Sequence, residues 1–487
     1  MGGVALAGTV RGSQLARLLG GWQGAGRAGG PEYARLAAAV RGLLTDGRLA
    51  LGVRLPAERE LAQALGLSRT TVTAAYRTLR ESGHLTSRRG AGSWTALPSG
   101  HRVGTSGLWG PIEDDDTIDL GQAALPAPPE LTAAVAAAAE DLPPYLTGAG
   151  YHPMGLAVLR EAVAREYTER GLPTLPDQIM ITAGVSHALD LVLRLLVAPG
   201  QRVLLEAPTY PNALTAVVAS RARVIGYALG DAGWDSDLLL STVRDARARL
   251  AYLIPDFHNP TGHLMETALR ERLPAAAHAV GTDVVVDESF ADLRLDGPEL
   301  PPAVATFDRA ARVLTIGGMS KPYWGGLRIG WVRAATSVTA RLAAARVAVD
   351  MSSPVLDQLV GAHLLGARQQ VVAARRAELT ARRDTLVAAL RAHLPEWRFV
   401  VPHGGLSLWV ELDAPVSSAL ARAVEELGVR VAAGPRFGAD GTMERFLRLP
   451  YTLPEADLVE AVRRLAQARE SLDRVPVRQL RAPAIVA

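Results

Sequence analysis

From Glu32 to Arg48 apolar residues recur at helical spacing, with Leu36, Ala39, Val40, Leu43 and Leu44 on one face. A second amphipathic segment follows in RLPAERELAQALGLSRTTVTAAYRTLRESGHLTSRRGAGSW. Pro56 at a helix start, a helix over Ala57–Leu65, a turn through Gly66 and a helix from Ser68 to Glu81 predict a helix-turn-helix. Ser68 is placed to cap the second helix, and Gly83 to stop it. His84 to Trp94 alternates and carries glycines, as a short hairpin wing would. Between Leu97 and Thr117 the period vanishes into Pro, Gly, Ser and the acidic run Glu113–Asp116, a linker signature. Beyond it, short apolar runs alternate with helical stretches. The runs are Ile179–Thr182, Val203–Glu206, Val224–Tyr227, Ala251–Ile254, Val284–Asp287, Val313–Ile316 and Ile329–Val332. Their separation by helix-length segments predicts crossover units and a mainly parallel sheet covered on both faces. A long helical stretch over Thr336–Leu394 precedes further strands such as Leu406–Leu412, which predict a smaller α+β lobe at the C-terminus.

These patterns divide the chain into an extension over 1–30, a winged helix-turn-helix over 31–97, a linker over 98–117, an α/β body over 118–475 and a tail over 476–487. The length of 487 residues suits several domains at about 150 residues each. With 48% hydrophobic and 21% charged residues the composition excludes a disordered chain. Cysteine is absent, which excludes disulfides, cysteine–zinc sites, iron–sulfur clusters and a thiol nucleophile. No metal site is expected. No uncharged apolar run reaches the roughly 18 residues of a membrane span. The opening MGGVALAGTVRGS lacks the basic start of a secretory signal, so a cytoplasmic location is expected.

Charge changes the picture in two places. The net charge is only +3, yet ten arginines oppose five acidic residues between Pro31 and Thr95, a local net of +5. Arg69, Thr70 and Thr71 stand in the first turn of the second helix, and Arg88 and Arg89 at the hairpin tip, where double-stranded DNA would lie. The second place is a single residue. Of 52 basic residues 51 are Arg, and Lys321 is the one Lys. A coding bias towards Arg explains the 51. A position that needs a primary amine able to lose its proton and attack a carbonyl explains the one.

Lys321 lies in TIGGMSKPYWGGLRIGW, just past a predicted strand. Upstream stand AGVSHALDL, EAPTYPN, DFHNPTG and VVVDESF, each following or ending a strand, so a parallel sheet gathers them at its carboxyl edge. Singly each has a plain structural use: a turn, a helix cap, a loop. Together, in this order, they resemble the fold-type-I pyridoxal-phosphate enzymes of the aspartate aminotransferase superfamily. The N-terminal module is similar to a GntR-type winged helix, and the combination resembles a MocR-type transcriptional regulator from about Pro31 to Arg474.

The resemblance implies roles. Lys321 would be the Schiff-base lysine, Asp287 the partner of the pyridine nitrogen and Asn259 that of the ring 3-oxygen. Tyr210 would stack on the ring. Gly184, Val185 and Ser186 would bind the phosphate with Arg328, and Arg448 in FLRLPYT would grip the carboxylate of an amino-acid-like effector. In the head, Ser68, Arg69, Thr70 and Thr71 would face the major groove, with Arg59, Arg88 and Arg89 on the phosphate backbone. A homodimer with two half-sites is implied. Two features depart from the transaminase pattern. Ser289 and Phe290 stand where a tyrosine is usual after the aspartate, and Gly318 stands where a hydroxyl residue is usual before the lysine. Both departures favour a sensor of the cofactor or of its amine adduct over efficient turnover. The alternatives are a working aminotransferase with an accessory N-terminal module, or a plain repressor with a relic site.

Overall fold

The computed structural model describes residues 9–20, 22, 31–88, 92–96, 98, 117–439 and 441–474; the expected tail, nearly all of the expected linker, and Arg89 fall outside them. The head begins earlier than the periodicity indicates. Helix α1, Gly12–Leu19, sends Leu15 and Leu19 into the same core as Leu36, Val40, Leu44, Leu61, Val72 and Leu79. Its start is held by the Gly12 N–H, which donates to Glu60 Oε1 at 2.6 Å. Eight residues in a Gly-rich context give too short a period to read. Helices α2 (Glu32–Thr45), α3 (Glu58–Leu65) and α4 (Arg69–Glu81) follow. Helix α2 ends at Thr45 rather than Arg48, where the chain turns through Gly47 at φ 71°. Gly66 adopts the left-handed conformation at the end of α3, and Ser68 Oγ accepts from the Thr71 N–H, capping α4. Strands β1 (Leu85–Arg88) and β2 (Gly92–Thr95) pair antiparallel as the wing.

In the body, β3 (Ile118–Leu120) precedes the seven strands of the large sheet: β4 (Ile179–Thr182), β5 (Arg202–Ala207), β6 (Arg223–Ala228), β7 (Leu250–Leu253), β8 (Asp283–Asp287), β9 (Val313–Gly318) and β10 (Gly330–Arg333). Their order is β4-β10-β9-β8-β7-β5-β6, and only β10 runs antiparallel to its neighbours. Every expected strand is present, with ends shifted slightly. Both faces are covered. Tyr252, Val285 and Ile316 enter one core, while Ala251, Val284 and Val286 enter the other. That two-sided burial is why the strands read as continuous apolar runs.

The expected helical stretch is three helices, Thr336–Arg346, Val355–Gly366 and Arg368–His393, separated by short turns. The smaller lobe holds β11 (Arg398–Phe399), β12 (Ser407–Glu411), β13 (Val429–Ala433) and β14 (Phe446–Pro450), in the order β11-β12-β14-β13-β3. Strand β3 therefore joins this lobe, parallel to β13, with Ile118 opposite Val429. Three residues carry no period, so the sequence does not announce it.

One buried ion pair fixes the segment that leads into the site. Arg270, 1% exposed, donates to Asp256 Oδ1 at 2.7 Å, to Pro255 O at 3.1 Å and to Met265 O at 2.9 Å. Arg270→Met strands a buried carboxylate and should cost roughly 3 kcal/mol or more, read as a lower melting temperature of the body. Unchanged melting would show that the pair holds nothing.

Candidate functional site

Strand β4 enters the helix Val185–Leu196 through Gly184, whose φ of 86° lies in the left-handed region. A Cβ there would sit 3.1 Å from Arg328 Nη2, and one on Gly330 would sit 2.5 Å from the Gly184 carbonyl carbon. Two glycines thus let turn, helix start and guanidinium converge. Arg328 donates to Ala183 O at 2.7 Å. The first-turn N–H groups, those of Val185 and Ser186 among them, have no acceptor within the helix, so the turn and Arg328 make an anion cradle. The hydroxyl residue expected before the lysine has no room: a Cβ on Gly318 would lie 2.9 Å from Val185 Cγ2 and 3.0 Å from Ile329 O.

Asp287 ends β8 and is 4% exposed. Tyr252 donates its hydroxyl to Oδ2 at 2.7 Å, while Ser289 gives Oδ1 its N–H at 2.9 Å and its hydroxyl at 2.5 Å. Burial pushes the Asp287 carboxyl up; these hydrogen bonds and the Lys321 charge pull it back. Lys321 Nζ donates to Ala123 O at 2.8 Å and stands 5.9 Å from the centre of the Phe290 ring. Burial, assisted by the Arg448 charge and opposed by Asp287, lowers its pKa to about 8. Ser289 and Phe290, which stand in place of the usual tyrosine, therefore brace the aspartate and wall the amine.

Tyr210 precedes the helix Pro211–Ala219 and accepts from Asn212 Nδ2 at 2.8 Å. Burial raises its pKa, and Ser186, Asp287 and Arg448 all act on it, which puts these four in one site. Asn259 is 7% exposed and its Oδ1 has no partner. Its turn is braced by His258, which bonds Thr261 at 2.9 Å and lies 3.2 Å from Glu206 Oε2. Arg448, on β14, is 6% exposed, donates to Gly121 O and lies 5.2 Å from the centre of the Phe437 ring. Its Nε has no partner, and burial lowers its pKa to about 10.

Sequence reasoning missed Tyr252, Phe437 and the strap through Gly121 and Ala123. The first two read as core aromatics. The strap acts through backbone carbonyls, which no residue type reveals.

At the head, Arg59, Ser68, Arg69 and Thr70 are exposed, with Arg69 Nε 3.9 Å from Glu58. Thr71 is half-buried, and its hydroxyl lies 2.8 Å from Ser68 Oγ; that of Thr70 lies 2.7 Å away. Arg88 ends β1, whereas Arg89 lies outside the described residues. This face is remote in sequence from the cradle, but the two units touch. The Met443 N–H donates to Thr45 O at 2.6 Å, Arg445 lies 3.4 Å from Asp46, and Arg48 lies 3.0 Å from Asp231. Beside this joint is a cavity of about 870 Å³ lined by Leu49, Ala50 and Leu51 of the head and Leu205, Thr209 and Met443 of the body. Among the described residues no helix is long and apolar enough to cross a membrane, and no group of three or more His, Asp or Glu could hold a metal.

Residues 116–465 match the family described as aminotransferase class I and II, and residues 32–94 match the bacterial regulatory proteins of the gntR family. The chain is 28% identical to the uncharacterized HTH-type transcriptional regulator YisV of Bacillus subtilis, over 93% of this chain and 98% of that one. It is 29% identical to the probable rhizopine catabolism regulatory protein MocR of Rhizobium meliloti, over 62% of this chain and 65% of that one. Among solved structures, the multiple substrate aminotransferase of Thermococcus profundus aligns with a TM-score of 0.68 at 28% identity, covering 75% of this chain and 94% of that one.

Because Lys321 is the one lysine, protein carrying ¹³C-labelled lysine should show a single side-chain signal. In cofactor-free protein it should titrate near pH 8, below the ordinary 10.5. Arg448→Met removes a like charge and should move the midpoint up. The lowered value also means that the unfolded chain holds the proton more tightly. This group therefore makes stability rise with pH between about 8 and the ordinary 10.5. A midpoint at the ordinary value would refute the desolvated amine.

Proposed function

The chain belongs to the class I and II aminotransferase family and carries a gntR-family module ahead of that domain, and from this premise we propose how its two units work together. The protein is a DNA-binding transcription regulator whose aminotransferase-like domain binds pyridoxal phosphate and senses the cofactor or an amine adduct of it. The observation that carries this reading is the desolvated Lys321 amine beside Asp287, on a chain whose winged head bonds directly to the same body.

The residues fit the cofactor. The cradle at Gly184 has the shape and charge for a phosphate, Asn259 Oδ1 and Arg448 Nε are buried without partners, and Asp287 holds its carboxylate at a strand end. Bound there, pyridoxal phosphate supplies an aldehyde that amines attack and a ring that withdraws electrons. Lys321 would supply the amine to hold it, one that gives up its proton more readily than an ordinary lysine. Asp287, oriented by Tyr252 and Ser289, faces the ring nitrogen, and Asn259 meets the ring oxygen with its amide. Tyr210 covers the ring face. Val185, Ser186 and Gly184 N–H groups and Arg328 hold the phosphate, and Arg448 receives an effector carboxylate. Ser289, Phe290 and the space-limited Gly318 favour sensing over efficient turnover. A working aminotransferase remains the second reading, because the set of Lys321, Asp287 and Arg448 is complete.

In the head, α4 enters the major groove with Arg69, Thr70 and Thr71 towards the bases, and Ser68 holding that turn. Arg59, Arg88 and Arg89 bind the phosphate backbone. Two copies of the chain read two half-sites, and the setting is the cytoplasm.

Mobility-shift titrations test both halves. Lys321→Ala should lose the borohydride-reducible pyridoxyl label. It should bind operator DNA as the cofactor-free wild type does. It should also lose the difference in DNA affinity between loaded and cofactor-free protein, expected at roughly 5- to 150-fold. Equal cofactor responses in both proteins would sever Lys321 from signalling. Fast transamination by the wild type would promote the enzyme reading. Arg88→Ala should weaken binding to all sequences and flatten the salt dependence. If affinity and salt slope stay put, the wing does not touch DNA.

A further inference from the structure

Most deeply buried arginines of this chain are neutralised at short range. Arg270 pairs with Asp256 at 2.7 Å, Arg346 with Asp350 at 2.6 Å, Arg375 with Glu378 at 3.0 Å and Arg383 with Asp296 at 2.7 Å. Arg333, 7% exposed, bonds the Thr174 hydroxyl at 2.8 Å and Pro173 O at 3.4 Å instead, and Arg448 and Arg436 also depart from that pattern. Arg448 is 6% exposed, yet its bonded partner is a neutral carbonyl and its Nε has none. The carboxylate acting on it, Asp119, is already engaged, accepting from the Gly121 N–H at 2.8 Å and from Gln122 Nε2 at 3.3 Å. Arg436 is half-buried and, among the described residues, has neither an ion pair nor a hydrogen bond to its side chain. Burial lowers its pKa to about 10, with no carboxylate opposing, and its charge reaches Arg448.

Arg436 is also held in place. It sits in the turn Gly434–Phe437, directly after β13. Gly434 is pressed so closely on the chain at Met443 and Phe446 that an added Cβ would lie 2.0 Å from Met443 O. On the other side, Phe437 O accepts from the Thr209 N–H at 2.9 Å, next to Tyr210, and the Phe437 ring lies against Arg448. The backbone of the turn is thereby held, and Arg436 is tethered next to the residue whose ring packs on Arg448. Two unneutralised charges in one partly dry place cost free energy unless an anion joins them.

We infer that Arg436 is a second anion-binding group of the effector site, so that the effector is a dicarboxylic amino acid with one carboxylate on Arg448 and the other on Arg436. This inference rests on the effector site proposed above. A monocarboxylate shared by both arginines is the competing arrangement, and it makes the opposite demand on selectivity.

Calorimetry on the full, cofactor-free chain tests it with succinate, glutarate and adipate against butyrate. One diacid should bind at least 10-fold more tightly than butyrate. Arg436→Gln should erase that ratio and leave butyrate unchanged. Arg436→Lys, which keeps the charge, should retain part of it. In cofactor-loaded protein, spectral titration should likewise favour L-glutamate or L-aspartate over L-glutamine, and Arg436→Gln should remove the preference. Equal binding of diacid and butyrate by the wild type overturns the inference. So does a preference that survives Arg436→Gln, or a loss that falls equally on mono- and diacids. The wild-type comparison stands whether or not the variants fold. Absence of any pyridoxyl label on Lys321 would instead fail the function proposed above, a separate outcome from the acid series.

Discussion

The desolvation of one amine is the constraint on which the rest of the site depends. A lysine in water keeps its proton at neutral pH and is a poor nucleophile; buried, it gives the proton up more readily. Lys321 reaches that condition because surfaces from distant parts of the chain close around it. Ala123 O comes from the strap after β3, the Phe290 ring from the turn after β8, and the Arg448 charge from the smaller lobe. Asp287 works against the effect; burial raises its own pKa, and the hydrogen bonds from Ser289 and Tyr252 oppose that rise.

The same closure links the site to the head. The strap between Gly121 and Ala123 carries carbonyls to Arg448 and Lys321, and it follows directly on the segment that leaves the winged unit. On the other side, the chain from Gly434 to Phe446 passes from the Phe437 ring beneath Arg448 to Met443 and Arg445, which meet Thr45 and Asp46. Gly47, at φ 71°, packs against Met443 so tightly that a Cβ would lie 2.6 Å from its Cε. Two stretches of backbone thus touch both Arg448 and the head or its exit.

Substituting Arg for Lys nearly everywhere has a consequence for chemistry as well as composition. Guanidinium stays charged under almost any burial, so an arginine inside the fold must find a carboxylate, a carbonyl or a ligand. Arg270, Arg346 and Arg383 found carboxylates; Arg328 found the cradle carbonyl. The one lysine stands where burial lowers the pKa of its amine. The exception in the composition and the exception in the chemistry are the same residue.

Much of this was legible in the chain itself. Periodicity located α2 to α4 and the wing, apolar runs located the seven strands of the large sheet, and the order of AGVS, EAPTYPN, HNPTG and VVVDES placed the chemistry at one sheet edge. Such features survive in sequence because each rests on residue type and local spacing. Helix α1, strand β3, the strap carbonyls, Tyr252 beneath Asp287 and the joint at Met443 did not, since short elements and backbone atoms leave no periodic or compositional trace. The sequence by itself determined which groups can do chemistry: one amine, one aspartate at a strand end, glycines at the start of a helix beside an arginine. Only the tertiary structure decided their state, because a pKa, an unpaired guanidinium and a buried amide are set by which distant surfaces exclude water from them.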